Sequence, residues 1–197
     1  MYLHEFIHIT YNFDYLWNFL CNKEVRKEIL CPRCKNVLTL TNARENHIFH
    51  CTKHYYKVTR TRKRRKVTCN FKISAFHGTW FEQARLELPT ICRFIAYFLM
   101  MQPPRHTFLM EDLQLENHTV VDWTKSNSVF VVRFVCKIIN IERLWRDMRA
   151  GIPRYGIRDN HYIHYIAEFL FKRVHNYSDR IHAFFDIISA LYPLHDN

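Results

Sequence analysis

CPRCKNVLTLTNARENHIFHCTKHYYKVTRTRKRRKVTC, residues Cys31 to Cys69, holds four of the chain's seven cysteines and its densest run of positive charge. Cys31 and Cys34 form a CxxC knuckle, a spacing that lets two thiolates and the neighbouring backbone N–H groups wrap one face of a tetrahedral zinc ion. Cys51 and Cys69 are the best second pair, although their separation is wide for a zinc ribbon and His47, His50 and His54 are rival ligands. A CxxC can also be a redox pair or two buried thiols. The short alternating stretches Val37 to Leu40, His47 to Cys51 and Val67 to Ile73 read as small antiparallel hairpins with little core of their own. A structural metal would supply the folding energy that such hairpins lack. A zinc-binding basic hairpin module over 31–81 is therefore expected.

Inside this stretch, Lys57, Arg60, Arg62, Lys63, Arg64, Arg65 and Lys66 fall within ten residues that contain no acid, next to Tyr55 and Tyr56. If a metal holds both ends, these cations are presented together and can neutralise successive phosphates. A solvated charge run or a nuclear-import signal is compatible with the same residues.

Outward from the module the pattern is helical. On the amino-terminal side, Phe13, Leu16, Trp17 and Leu20 recur at helical spacing behind Asn12, giving one short leading helix within 1–30. On the other side, Pro89 suits a first helical position, and Ile91, Phe94, Ile95 and Phe98 make one apolar face that ends before Pro103 and Pro104. A short helix from about Arg105 to Leu113 and a third from near Asn117 follow, separated by a turn at Gln114 to Glu116. Three helices with so short a turn suggest a helix-turn-helix over 85–130. Its recognition helix would present Asn117, His118 and Thr119, with Asp122 a further candidate, to a major groove, and turn Val120, Val121 and Trp123 to the core. The last third reads as helices at about Ile139 to Ala150, Asn160 to Arg173, and a final one capped by Ser178 with Ile181, Phe184, Phe185, Ile188 and Leu191 inward. The fold class is thus α+β, mainly helical.

Composition points the same way. Three glycines are few for a turn-rich sandwich or barrel, and 48% hydrophobic residues exclude a disordered tail. A net charge of +11 draws the protein to polyanions, with nucleic acid the first candidate partner. The longest apolar run, Ile91 to Met101, contains Arg93 and falls far short of the roughly 20 residues of a membrane span. No secretory leader is read at the amino terminus, so reduced thiols, no membrane partner, and a nuclear or cytoplasmic location are expected.

Three blocks together resemble the Merlin superfamily of cut-and-paste DNA transposases, with its ISXO-like transposase domain. The first runs from the knuckle and basic hairpin into Cys69-Asn-Phe71-Lys-Ile-Ser74-Ala-Phe76-His-Gly78-Thr79-Trp80-Phe81. The second is Leu88 to Trp123, including Asn-His-Thr-Val-Val-Asp-Trp at Asn117 to Trp123. The third is Asn140 to Pro193, with Ile141-Glu142-Arg143-Leu-Trp145-Arg146, Gly151-Ile-Pro-Arg-Tyr-Gly156 and Tyr165-Ile-Ala-Glu-Phe-Leu-Phe-Lys-Arg173. The resemblance implies DNA excision and insertion by an RNase H-like domain whose Asp, Asp and Glu hold two Mg²⁺ or Mn²⁺ ions. Glu142 is the one acid that carries over.

Between Asp122 and Glu142 there is no Asp or Glu, and a segment of this length cannot house a sheet and helices that need on the order of 100 residues. Glu142 is left a residual, unpartnered acid, and Asp122, in the helix-turn-helix match, is a poor substitute. The chain therefore divides into 1–30, 31–81, 85–130, an acid-free junction at 131–139, and a carboxy-terminal helical remnant of the ISXO-like domain at 140–197. The expected function is that of a transposase-derived DNA-binding protein, with structural zinc and terminal repeats as its DNA, that is catalytically inactive alone. The alternatives are a piece or incomplete version of an active transposase, or a subunit acting with an intact relative. A third reading is a gene-model or pseudogene translation with no selected function, in which the carboxy-terminal helices, deprived of their sheet, would leave Trp145, Phe169 and Phe171 exposed.

Overall fold

The computed structural model describes residues 1–23, 25, 27–40, 47–58, 60, 62–82, 84–103, 105–135 and 159–193. The architecture is mixed α+β, with about half of the chain helical and small two-stranded antiparallel sheets. The chain forms two compact units, one of residues 1–12 and 86–188, the other of residues 13–85 and 189–197. Glu142, Trp145, the expected helix from Ile139 to Ala150 and the Gly151 to Gly156 stretch lie outside the described residues.

The first unit is helical: α1 (Leu3–Tyr11), α3 (Leu88–Met100), α4 (His106–Leu113), α5 (Asn117–Val135), α6 (Asp159–Val174) and most of α7 (Arg180–Leu191). The central element is α3. Pro89 opens it in its first turn, and all residues from Phe94 to Met100 are buried, so its second half is enclosed on every side. Around it pack α1, which buries Phe6 and Thr10 one turn apart, and α4 and α5. Phe94 meets Trp123 at 6.2 Å, and the rings of Tyr97 and Phe108 meet edge to face at 4.9 Å. Helix α4 ends where Gln114 enters the left-handed region at φ 52° and the Leu115 N–H reaches the Met110 carbonyl, a compact stop that lets α5 begin at Asn117.

Helix α5 packs most extensively on α6. Among the described side chains of α5, two polar ones are buried: Ser128, whose hydroxyl donates to the Thr124 carbonyl at 2.7 Å, and Asn127, whose amide has no partner among the described residues. Helix α7 turns Ile181, Phe184, Phe185 and Ile188 inward, while Leu191 is half-exposed. Phe171 is buried, with Phe184 edge to face at 6.4 Å, so the exposure expected of a stranded remnant does not occur there; Phe169 is half-exposed. Ser178 does not cap α7. It lies inside a 3-10 turn, Tyr177–Asp179, and its hydroxyl donates to Asp179, because the turn itself carries the chain into the helix.

A buried ion trio ties the α3–α4 turn to α6. Both guanidinium ends of Arg105 donate to the two Glu168 oxygens, at 2.7 and 2.8 Å, and Lys172 Nζ reaches Oε1 at 2.6 Å. Lys172 and Arg105 also donate to the Met101 carbonyl at the end of α3, at 2.6 and 3.3 Å. The guanidinium of Arg105 lies 4.5 Å from the centre of the Phe98 ring. Burial works against the charge on Glu168, yet Arg105 and then Lys172 hold its carboxyl below the usual range.

Among its described residues the second unit contains α2 (Phe13–Cys21) and six short strands: β1 (Glu28–Leu30), β2 (Val37–Thr39), β3 (Ile48–His50), β4 (His54–Val58), β5 (Arg64–Thr68) and β6 (Lys72–Ser74). The pairings β1–β2, β3–β6 and β4–β5 are all antiparallel. Before Cys31 there are thus two helices where the sequence suggests one, with a break at Asn12. The core is small: Leu16 and Leu20 of α2, Val25, Leu38, Phe49, Ala75 and Phe81, together with three of the cysteines. Beside it, Phe13, Trp17, His47 and Phe76 cluster with ring centres 4.9 to 6.0 Å apart.

Candidate metal centre and basic ribbon

Two turns deliver the cysteines. The β1–β2 hairpin closes through the knuckle, where the Cys31 N–H donates to the Asn36 carbonyl and the Lys35 N–H to the Cys31 carbonyl, both at 2.8 Å. Lys35 pays for this tight return with a left-handed φ of 55°. The second pair sits where the β3–β6 ladder ends. There the Cys51 N–H donates to the Phe71 carbonyl at 2.8 Å, the Asn70 N–H to the Cys51 carbonyl at 3.0 Å, and the Cys69 N–H to the Lys53 carbonyl at 2.9 Å. Cys51 and Cys69 therefore face each other across a neck from which β4 and β5 extend. Their wide spacing in sequence is the length of that β4–β5 excursion.

At this neck the four sulfurs lie within 4.8 Å of one another. Cys31 and Cys69 are 3.5 Å apart, and Cys34 and Cys51 3.4 Å. Sulfurs on a tetrahedral zinc with bonds of about 2.3 Å sit ~3.8 Å from each other, so the set has the size that a zinc ion requires. Cys31, Cys51 and Cys69 are buried and Cys34 is half-buried, and no carboxylate or imidazole joins the group among the described residues. Four thiols could bind a metal ion such as zinc; their softness favours zinc over calcium or magnesium.

The surroundings divide the thiols electrostatically. Burial pushes the Cys51 thiol up to about 12 and also raises Cys69. For Cys31 burial acts in the same sense, but the backbone N–H groups of Cys34 and Arg33 outweigh it and bring the thiol down to about 7. Arg33 adds a positive charge at the rim, donating to the Cys69 carbonyl at 3.2 Å.

The rival histidines are engaged elsewhere. His50 Nε2 meets the Asn70 side-chain oxygen at 2.8 Å, and His54 Nδ1 meets the Thr68 hydroxyl at 3.0 Å. His47 belongs to the aromatic cluster, where burial lowers its pKa. The Gly78-Thr79-Trp80-Phe81 stretch is a tight turn below the site. Gly78 takes φ 77°, its N–H donates to Glu82 at 3.0 Å, and the Thr79 hydroxyl donates to the Phe76 carbonyl at 2.7 Å, which fixes the buried Phe81.

Beyond the neck, β4 and β5 pair over five rungs: His54 with Thr68, Tyr55 with Val67, Tyr56 with Lys66, Lys57 with Arg65 and Val58 with Arg64. Directly paired residues share a face, so Tyr56, Lys66 and Arg64 lie on one side and Tyr55, Lys57 and Arg65 on the other. Arg60, Arg62 and Lys63 form the tip. All seven cations are exposed, and apart from the half-buried Val67 so is every residue of both strands. A ribbon of this kind has little to hold it together. It buries almost no apolar surface, and the Lys57–Arg65 rung sets like charges directly opposite each other.

In the helical unit, Asn117 and His118 are exposed at the start of α5 and Thr119 is half-exposed, while Val120 is fully buried. His118 Nδ1 lies 3.2 Å from the Glu116 carboxylate on the surface. No helix among the described residues is long and apolar enough to cross a membrane. Compared with protein-family models, curated proteins and solved structures, the chain matches none.

Proposed function

We propose that the chain is a transposase-derived DNA-binding protein in which a zinc ion on Cys31, Cys34, Cys51 and Cys69 fixes the root of a basic β-ribbon. The observation that carries this reading is the coincidence of the thiol cluster with the ribbon's neck. Like charges opposed on an exposed two-stranded ribbon raise its free energy, and a polyanion lowers it again by neutralising them. A two-stranded ribbon also fits the major groove of DNA, about 12 Å wide. With Tyr56 among the cations, the face bearing Lys66 and Arg64 is the one assigned to the groove. The same reading makes α4 and α5 a helix-turn-helix with Asn117, His118 and Thr119 at base edges, and it rests there on the exposure of Asn117 and His118 at the helix start.

Resemblance to the Merlin superfamily supplies terminal repeats as the DNA, and the acid-free sequence between Asp122 and Glu142 supplies the loss of cutting. The test is titration of a terminal-repeat duplex with zinc-loaded protein at several salt concentrations. If four to seven ribbon cations meet phosphates, log K falls with log salt with a slope of about −4 to −6. Charge reversal at Arg64 and Lys66, both on the assigned face, should flatten that slope by about two. A slope unchanged by the reversal would refute the ribbon's role. Strand cleavage in Mg²⁺ or Mn²⁺ that disappears in Glu142→Ala would refute catalytic silence.

A further inference from the structure

On the ribbon face that bears Lys66 and Arg64, charge and apolar surface are sorted by strand. Tyr56 pairs with Lys66 and Val58 with Arg64, so β5 contributes the two cations and β4 an aromatic ring and an aliphatic side chain beside them. Both apolar side chains stand in water: Tyr56 is 69% exposed and Val58 60%. On the opposite face Tyr55 is 42% exposed and Val67 half-buried, so the more open apolar surface lies on the face assigned to the groove. Valine and threonine suit a strand about equally well and differ by a methyl against a hydroxyl. At a solvated rung the hydroxyl would cost nothing, so what Val58 adds there is apolar surface for contact outside the chain.

The major groove offers such a side chain one complement. Each base edge there presents hydrogen-bond donors and acceptors, and the single apolar group among them is the C5-methyl of thymine. Valine laid against any other position would cover a polar atom without replacing its bond to water. The spacing also agrees. Side chains two residues apart on one strand face are about 6.7 Å apart, and two base-pair steps rise about 6.8 Å.

Resting on the DNA-binding reading above, we infer that Val58 and Tyr56 are specificity-determining residues that contact C5-methyl groups of pyrimidines two steps apart, while Lys66 and Arg64 hold phosphates alongside. Thymine supplies this methyl on an A·T pair, and 5-methylcytosine presents the same group on a G·C pair. The ribbon thereby distinguishes A·T pairs by a group that carries no charge and forms no hydrogen bond.

The experiment uses the zinc-loaded full chain and fluorescence anisotropy on short duplexes of alternating sequence. One pair of duplexes compares A·T with A·U, built from deoxyuridine, so that only the methyl groups differ. A second pair compares G·C with and without methylation at cytosine C5. Burying one methyl is worth about fourfold in affinity, so A·T should bind more tightly than A·U by about fourfold for one contact and about 15-fold for two. Val58→Thr keeps the side chain's shape at an exposed rung and should lower this ratio with the zinc content and salt slope unchanged. Val58→Thr combined with Tyr56→Thr should bring it to about 1. A gain on cytosine methylation equal to that from thymine assigns the contact to the methyl on either base; a gain confined to A·T assigns it to thymine. The inference is overturned if A·T and A·U bind alike, if the double variant keeps the ratio, or if a single strand binds more tightly than either duplex, which would give Tyr56 to base stacking. Equal binding of A·T and A·U, with a salt slope that responds to reversal of Arg64 and Lys66, removes this inference alone. Binding to no duplex removes the DNA reading with it.

Discussion

Replacing Arg105 by alanine should cost more stability than any other single truncation of a charged side chain in the helical unit. Its guanidinium makes two short bonds to Glu168, and the side chains are 3% and 8% exposed, so water cannot replace what is lost. Removing one partner of a buried pair costs about 3–5 kcal/mol, mostly from the charge left behind. Lys172 stays 2.6 Å from Glu168 and softens that penalty towards the lower figure. Loss of the contact with Phe98 and of the donor to the Met101 carbonyl brings it back up, for a total of about 4 kcal/mol. Urea denaturation followed by circular dichroism at neutral pH measures this directly. Adding Glu168→Gln to Arg105→Ala should recover at least about 1 kcal/mol, since it removes the stranded charge and so makes the two changes non-additive. A loss below about 1 kcal/mol for Arg105→Ala, or full additivity in the double variant, would refute the trio as a coupled buried unit.

Three further outcomes follow from the same contacts. Purified protein should hold one zinc ion, and chelation or Cys69→Ser should make residues 13–85 protease-sensitive while the helical unit stays resistant, as elemental analysis and limited proteolysis would show. Lys172 titrates near 8 in the fold against an unperturbed 10.5; the unfolded chain therefore binds the extra proton between these values, and stability from this group rises with pH across that window, by on the order of 3 kcal/mol. Comparing urea midpoints of wild type and Lys172→Met from pH 8 to 10.5 isolates that rise, and parallel curves would rule it out. Asn127→Leu, which replaces a fully buried amide with no partner among the described residues by a side chain of similar size, should raise stability by about 1–3 kcal/mol in thermal denaturation; a loss would show that the amide is satisfied.

What could be read in the sequence was local. Pro89 and the spacing of Ile91, Phe94, Ile95 and Phe98 announce α3, and the knuckle announces one half of the thiol cluster. The choice among Cys69 and the histidines was open because it depends on pairing across strands. His50 and His54 are taken by Asn70 and Thr68, partners that exist only once the β3–β6 ladder and the β4–β5 ribbon have formed. Helix α1 is not legible in the apolar spacing because Thr10 completes its buried face beside Phe6, and a buried threonine breaks the apolar pattern. The ion trio is hidden for another reason, since Arg105 and Glu168 are 63 residues apart. The available signal was Glu168 and Lys172, an i,i+4 pair placed among buried Ala167, Leu170 and Phe171, where a solvated pair would not be expected.

The closed neck at Cys51 and Cys69 makes the ribbon beyond it an appendage whose reach can change at little cost to the base. Every rung past His54–Thr68 hangs from that root and touches almost nothing else, so rungs can be added or trimmed without disturbing the core around Phe49. The pleat restricts how. Lengthening by two rungs carries Arg64 and Tyr56 outward on the side they already occupy, whereas adding one transfers them to the opposite side. Chains of this architecture can thus vary in arm length in steps of two while keeping the same residues on one face, and a graft of a different arm onto the same neck needs only to match that parity.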